Sequence, residues 1–113
     1  MKTILVIDDE PVVRALAEVS LAGEDRVVRL APDAATALEA IADAMPDLIL
    51  LDLGLPDMRG DELARRLRAD DATARIPILY LTGLPPEDEG LADGVVAKPF
   101  TPEKLRAYAS NWL

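Results

Sequence analysis

Residues 48–60, Leu48-Ile49-Leu50-Leu51-Asp52-Leu53-Gly54-Leu55-Pro56-Asp57-Met58-Arg59-Gly60, decide how this chain folds. Four apolar residues in a row leave no polar face, so a strand made from them must be covered on both sides, as inside a parallel sheet. An aspartate ends the run, and a segment with glycine and proline turns the chain. From about Gly60 to Ala69 the pattern takes a helical period. Leu63 and Leu67 face inward, while Asp61 with Arg65 and Glu62 with Arg66 form outward pairs four apart.

The same alternation extends in both directions. Residues 3–7, 26–30, 76–81 and 95–97 are short apolar runs that read as further strands. A helix over residues 11–21 starts at Pro11, which suits a first helical position, and carries Val12, Leu16 and Val19 on one face. Asp33 caps another helix, which buries Ala34, Ala37, Leu38 and Ile41. Thr101 caps the last one, with Pro102 in its first turn and Leu105, Tyr108, Ala109 and Trp112 on its buried side. Strands alternating with helices through short loops call for a parallel sheet with helices on both faces, so the expected fold class is α/β, doubly wound. No repeat, low-complexity segment or flexible linker interrupts the pattern, and residues 1–113 read as a single domain.

Composition narrows the chemistry. A chain of 113 residues that is 50% apolar can bury one core without staples. It has no cysteine and no histidine, which removes disulfides, thiolate ligands, cysteine nucleophiles and the usual general base. Carboxylates, hydroxyls and lysines are left. Met1-Lys2-Thr3 leads into a short apolar run backed by aspartates, which suits neither a signal peptide nor a membrane span, so a cytoplasmic protein without membrane contact is expected. A formal charge of -9 opposes nucleic-acid binding, which needs clustered cations. Solubility explains such acidity as readily as an acidic metal pocket does.

In open parallel sheets, ligand sites form outside the carboxyl ends of the strands. Asp8 and Asp9 follow the first strand, Asp52 the third, Thr82 the fourth and Lys98 the fifth. Helices start on that edge too, so any one of these acids has an equally good explanation as a cap. Capping does not explain the whole set. Three neighbouring carboxylates raise one another's pKa values unless a cation joins them, and a site with few, all-oxygen ligands suits Mg²⁺. Lys98 adds a compact charge and Thr82 a hydroxyl for phosphate oxygens, and a carboxylate is a competent nucleophile in phosphoryl transfer.

Four segments, Val6-Ile7-Asp8-Asp9-Glu10, residues 50–60, Leu81-Thr82-Gly83 and Ala97-Lys98-Pro99-Phe100, follow one another in this order. In them the chain resembles, over its whole length, the CheY-like receiver domain of bacterial two-component response regulators. The resemblance implies a five-stranded flavodoxin/CheY-like sheet in strand order 2-1-3-4-5. It implies that Asp52 is the phosphoacceptor, that Asp9, Asp52 and the Gly54 carbonyl ligate Mg²⁺, and that Asp8 acts on the metal mainly through a bound water. Thr82 and Lys98 would each meet a phosphoryl oxygen, and the Lys98–Pro99 bond would be cis. The implied partner is a histidine kinase or a histidine phosphotransfer protein, docked on the helix over residues 11–21, with a downstream protein contacted afterwards. A monomer or weak dimer is expected, acting as a switch rather than an enzyme because it labels itself once and decays. Gly54 and Gly83 bring no side chain to the pocket, which suggests ready water access and a short-lived phosphoryl state.

The chain departs from that family at two places. About a dozen residues separate Thr82 from Val95, and they include Pro85, Pro86, Gly90 and Gly94, so the fourth helix is expected to be short or missing, with at most a turn or two over residues 87–92. Val95 stands where the family carries an aromatic that swings inward. These departures count against the usual aromatic coupling and against the usual dimer through the fourth helix, fifth strand and fifth helix. Tyr80-Leu81-Thr82-Gly83-Leu84 loosely resembles the Phe-Ala-Thr-Gly motif of an atypical single-domain subgroup, in which remodelling of residues 83–94 would replace a rotamer switch. Rival readings are a phosphorylation-independent pseudo-receiver, a receiver fragment of a larger regulator, and a Mg²⁺-dependent phosphatase of similar topology. The phosphatase lacks a second acid placed to activate water, a substrate cap and a glycine-rich phosphate loop. Arg65, Arg66 and Arg68 form a basic cluster of the kind that usually marks a solvated face. Ending just after its last helix, the chain carries no effector in this reading, so its output is protein binding or onward phosphoryl transfer.

Overall fold

All five apolar runs form strands in the computed structural model, which describes residues 1–84 and 89–113. In chain order the elements are β1 (Lys2–Ile7), α1 (Pro11–Leu21), β2 (Arg26–Ala31), α2 (Ala34–Asp43), β3 (Leu48–Asp52), α3 (Gly60–Ala69), β4 (Ile78–Thr82), a 3-10 turn (Glu89–Leu91), β5 (Gly94–Ala97) and α4 (Pro102–Ser110). They build one parallel sheet in the order β2-β1-β3-β4-β5, as the family resemblance implies.

Period-two alternation on strands that are apolar throughout produces two cores. Ile4, Val6, Leu50, Leu79 and Leu81 pack beneath α1 and α4 against Ala17, Leu21, Leu105 and Ala109. Their neighbours Leu5, Ile7, Ile49, Leu51 and Tyr80 pack on the opposite face, against Ala37 and Ile41 of α2 and Leu63 and Leu67 of α3. β3 and β4 are buried from end to end, whereas β2, at the sheet edge, is only partly covered. Asp33 caps α2 by accepting from Thr36 N at 2.7 Å, and Thr101 caps α4 by accepting from Lys104 N at 3.1 Å.

Four expectations need correcting. β4 begins at Ile78 rather than Ile76, because successive turns (Thr73 N to Asp70 O, Ile76 N to Thr73 O) occupy the approach and Pro77 has no N–H for a ladder. On α1, Val12 and Val19 are 76% and 73% exposed. The buried stripe instead runs through Ala17, Ser20 and Leu21, with Val13 and Leu16 partly covered, and these small residues let α4 approach. Asp61 does not point outward to Arg65; it is buried and takes a two-pronged pairing from Arg59, with Nε to Oδ1 at 2.9 Å and Nη2 to Oδ2 at 3.1 Å. Glu62 pairs with Arg66 as expected, and with Arg65 as well. Tyr108 and Trp112 remain exposed, since α4 presents only Leu105 and Ala109 to α1 and stops at Ser110.

Among the described residues between β4 and β5 the helical structure is a single 3-10 turn, Glu89–Leu91. Residues 85–88, including Pro85, Pro86 and Glu87 of the expected turn, lie outside the described residues. Among the described residues no helix is long and apolar enough to cross a membrane.

Candidate functional site

The register of the central strands gathers the acids. β1 and β3 pair with Ile7 beside Leu51, so Asp8 and Asp52 leave the sheet side by side at its carboxyl edge. A further bond from Asp8 N to Ala31 O, 3.0 Å, carries the β1–β2 ladder one residue past the strand and draws Asp8 inside. Asp9 and Glu10 stay exposed. Asp8, Asp9, Glu10 and Asp52 each offer a carboxylate oxygen, and these oxygens all lie within 4.8 Å of one another.

Lys98 enters from the end of β5, where its N–H donates to Thr82 O at 3.0 Å and its bond to Pro99 is cis, as expected. Its Nζ lies 2.7 Å from Asp8 Oδ2, 3.3 Å from Glu10 Oε1 and 3.5 Å from Asp52 Oδ1. Thr82, the last residue of β4, accepts from Leu84 N at 2.8 Å and donates its hydroxyl to Leu84 O at 3.2 Å. Gly54 N donates to Asp52 Oδ1 at 3.2 Å. These groups open onto a cleft of about 540 Å³ whose walls include Asp9, Asp52, Gly54, Thr82, Leu84 and Lys98. All the residues expected at the site are therefore brought together.

Close packing beneath the cleft holds Asp52 in place. Gly60 N donates to Leu53 O at 2.9 Å, and a Cβ at Gly60 would stand 2.2 Å from Asp52 O, so the first residue of α3 must be glycine for the helix to sit on the acid's own backbone.

The charges do not balance. Burial raises the Asp8 carboxyl above its ordinary value, and with the charge of Asp52 it outweighs the Lys98 contact and the Glu10 amide, which pull it down. Burial also opposes the charge on Lys98, but Asp8, Asp52 and Glu10 together outweigh it and the ammonium is held above its usual range. The two partners thus respond unequally to one contact: the lysine is well matched, and the buried aspartate is still short of positive charge. Four carboxylates facing one ammonium, all offering oxygen, fit a hard divalent cation.

Two residues at this edge were given no role by the sequence reading. Glu10 joins both the acid cluster and Lys98, because Pro11 starts α1 and leaves Glu10 at the cap position facing the cleft. Arg14, four residues further on, donates from Nη1 to Asp8 O at 2.8 Å and steadies the acidic turn. An arginine at that spacing was the available signal.

The family profile described as the response regulator receiver domain matches residues 4–110. The chain belongs to that family. This receiver domain is 44% identical over 112 residues to the phosphate regulon transcriptional regulatory protein PhoB of Pseudomonas aeruginosa, covering 94% of this chain and 49% of that protein. It therefore spans about half the length of such a curated relative. Its backbone matches chemotaxis protein CheY4 of Vibrio cholerae with a TM-score of 0.90 at 28% identity, covering 100% of this chain and 99% of the other. It matches the response regulator TrrA of Thermotoga maritima, solved in complex with Mg²⁺-BeF, with a TM-score of 0.87 at 31% identity over the whole of both chains. Receiver domains are the phosphorylation-dependent switches of two-component signalling. They interact with histidine kinases and downstream effectors, and they typically bind Mg²⁺ at an acidic pocket; this receiver domain has an acidic cluster at the corresponding edge.

Proposed function

We propose that Asp52 accepts a phosphoryl group from the phosphohistidine of a histidine kinase or a histidine phosphotransfer protein, and that Asp9, Asp52 and the Gly54 carbonyl hold Mg²⁺ with Asp8 behind them. The observation that carries this reading is the convergence of Lys98 Nζ and three further carboxylates around Asp52 at one open cleft.

Asp52 Oδ1 is engaged by Gly54 N and lies near Lys98, while among the described residues nothing bonds Oδ2. Oδ2 is thus the oxygen presented to the donor. The Oδ2–P bond forms as the donor's N–P bond breaks, and the imidazole leaves with that electron pair. Bound Mg²⁺ supplies charge neutralisation for the phosphoryl oxygens. Lys98 exchanges part of its contact with Asp8 and Glu10 for one of those oxygens. Thr82 can reach another only by releasing Leu84, so the change of shape enters the chain at Leu84. Val95, exposed on the edge strand, takes no part.

The exposed Val12 borders a shallow groove with Val13, Leu16, Pro99 and Phe100, next to Lys98, and this apolar floor beside the acceptor suits docking of the donor helix. The protein is a cytoplasmic switch without nucleic-acid or membrane contact and is not a turnover enzyme. It acts as a monomer or weak dimer, and its output goes to a protein. The open cleft favours a short-lived phosphoryl state, which a decay half-life of many hours would exclude.

Intact mass after incubation with Mg²⁺ and acetyl phosphate tests the reading. A gain of one phosphoryl group that needs Mg²⁺ and is absent in Asp52→Asn is expected. No gain from acetyl phosphate or from histidine kinases would overturn it.

A further inference from the structure

Asp57 lies outside the acid cluster, and among the described residues it shares no hydrogen bond with any member of it. It is exposed, in the connection between β3 and α3, yet its carboxylate spans two amides of another element: Oδ1 accepts from Ala34 N at 3.0 Å and Oδ2 from Ala35 N at 2.9 Å. These are the first two N–H groups of α2, which no turn of the helix can satisfy. Asp33, the local cap, takes the next one, Thr36 N. Helix α2 is therefore capped by two carboxylates, one of them borrowed from 23 residues along the chain.

The borrowed cap closes a ring around the site. Asp8 N is held by Ala31 O at the end of β2. Three and four residues on, Ala34 and Ala35 are held by Asp57. Asp57 lies three residues past Gly54, whose N–H in turn holds Asp52. The two groups of candidate metal ligands, the acidic turn after β1 and the Gly54 carbonyl after β3, are thus connected through α2 as well as through the sheet. The connecting loop is otherwise tied at its ends, by Gly60 N to Leu53 O, and by the burial of Leu55.

We propose that Asp57 is a positioning residue for the divalent-metal site: by capping α2 it fixes the loop that carries Gly54 against the start of α2, just past the end of β2 that holds Asp8, and so sets the spacing of the ligands. Outer-shell contacts of this kind govern metal affinity because a ligand held off its bonding distance contributes little. Coupling is reciprocal, so metal binding must in turn tighten the Asp57 cap. The proposal rests on the assignment of Gly54 and the acids as the Mg²⁺ site.

Titration calorimetry with Mg²⁺ on the full chain, paired with amide hydrogen exchange, tests it. Asp57→Ala is expected to weaken Mg²⁺ binding about tenfold, and Asp57→Asn, which keeps one acceptor, by less. Asp33→Ala serves as the control, because it removes a cap from the same helix without touching the Gly54 loop, and its Mg²⁺ affinity is expected to match the wild type. In the wild type, Mg²⁺ should slow exchange at Ala34 and Ala35, and in Asp57→Ala it should not. Unchanged affinity in a folded Asp57→Ala, or equal weakening in Asp33→Ala, would overturn the proposal and leave Asp57 a helix cap only. A wild type that binds no Mg²⁺ would instead overturn the phosphoryl-acceptor reading, and this inference with it.

Discussion

The β3–α3 connection, residues 53–59, and the β4–β5 connection, from Gly83 to Asp93, flank the same cleft. The first is braced along its length: Leu53 and Leu55 are buried, Gly60 N closes on Leu53 O, Asp57 reaches α2, and Arg59 holds the buried Asp61. The second is described only at its two ends. Thr82 holds Leu84 by its hydroxyl, and Arg68 pins the far side by donating to Leu91 O, Ala74 O, Ile76 O and Asp93 Oδ2. The difference matches the proposed roles. A loop proposed to supply ligands needs fixed distances, whereas a contact proposed to be exchanged must be breakable without unfolding the domain, and a hydroxyl hydrogen bond, worth about 1 kcal/mol net, meets that condition.

Equivalent substitutions where each connection meets a flanking element give the sharpest break. Gly60→Ala forces a Cβ to 2.2 Å from Asp52 O and 2.9 Å from the Leu53 Cα, backbone atoms that cannot move aside. We expect a loss of about 3 kcal/mol or more in urea unfolding, with loss of phosphorylation. Among the described residues, the Cβ of Gly83→Ala meets nothing closer than Lys98 O at 4.0 Å, and its stability should stay within about 0.5 kcal/mol of the wild type. Similar losses in both would show that the second connection is packed as tightly as the first.

Arg68→Met comes next. It removes the donors of four hydrogen bonds, one of them to the Asp93 carboxylate that also accepts from Ile78 N. About 2–3 kcal/mol should be lost. The loss should be local: hydrogen exchange at Asp93 and along β5 should quicken while α2 and the β3–α3 connection keep their protection. Uniform quickening would mean that Arg68 supports the whole fold rather than the approach to β4 and the end of the β4–β5 connection.

Where these anchors lie explains what could be read from the chain beforehand. Asp8, Asp9, Asp52, Thr82 and Lys98 each follow an apolar strand, and any parallel sheet that places those strands together brings their ends to one edge, so the site was legible from order alone. The residues that hold it were not. Asp57 meets Ala34 across 23 positions and Arg68 meets Asp93 across 25, and no local spacing announces a partner chosen by tertiary packing. The face of α1 was misjudged for a related reason. Val12 and Val19 look like core, but contact with α4 favours the small residues Ala17 and Ser20 over bulk. Asp61 looked like half of a surface pair until Arg59, two residues earlier, took it inside.

Thr82→Val probes the breakable end. It keeps the shape of the side chain and removes the hydroxyl that brackets Leu84, so the cost should stay below about 1 kcal/mol because Leu84 is exposed and water can replace the bond. Hydrogen exchange at Leu84 should rise, and it should no longer respond to phosphorylation. A response that persists would place the start of the conformational change elsewhere than Leu84.

The smallest effect separates charge from hydrogen bonding in the braced loop. The Ala34 and Ala35 amides hold the Asp57 carboxyl below its ordinary value of 3.8. A carboxyl depressed in the folded state adds stability that is fully present above its unfolded pKa and is lost as pH falls through the folded one. Asp57→Asn keeps an acceptor but has no charge to lose. Melting curves of the two proteins should therefore be separated by a constant margin from neutral pH down to about pH 4 and converge below it. Asp33, the other carboxylate at this helix start, is common to both proteins and largely cancels from the difference. Because Asp57 is exposed, salt should narrow the margin. A margin that survives into acid would mean that the geometry of the two hydrogen bonds, rather than the anion on the helix N-terminus, secures the loop to α2.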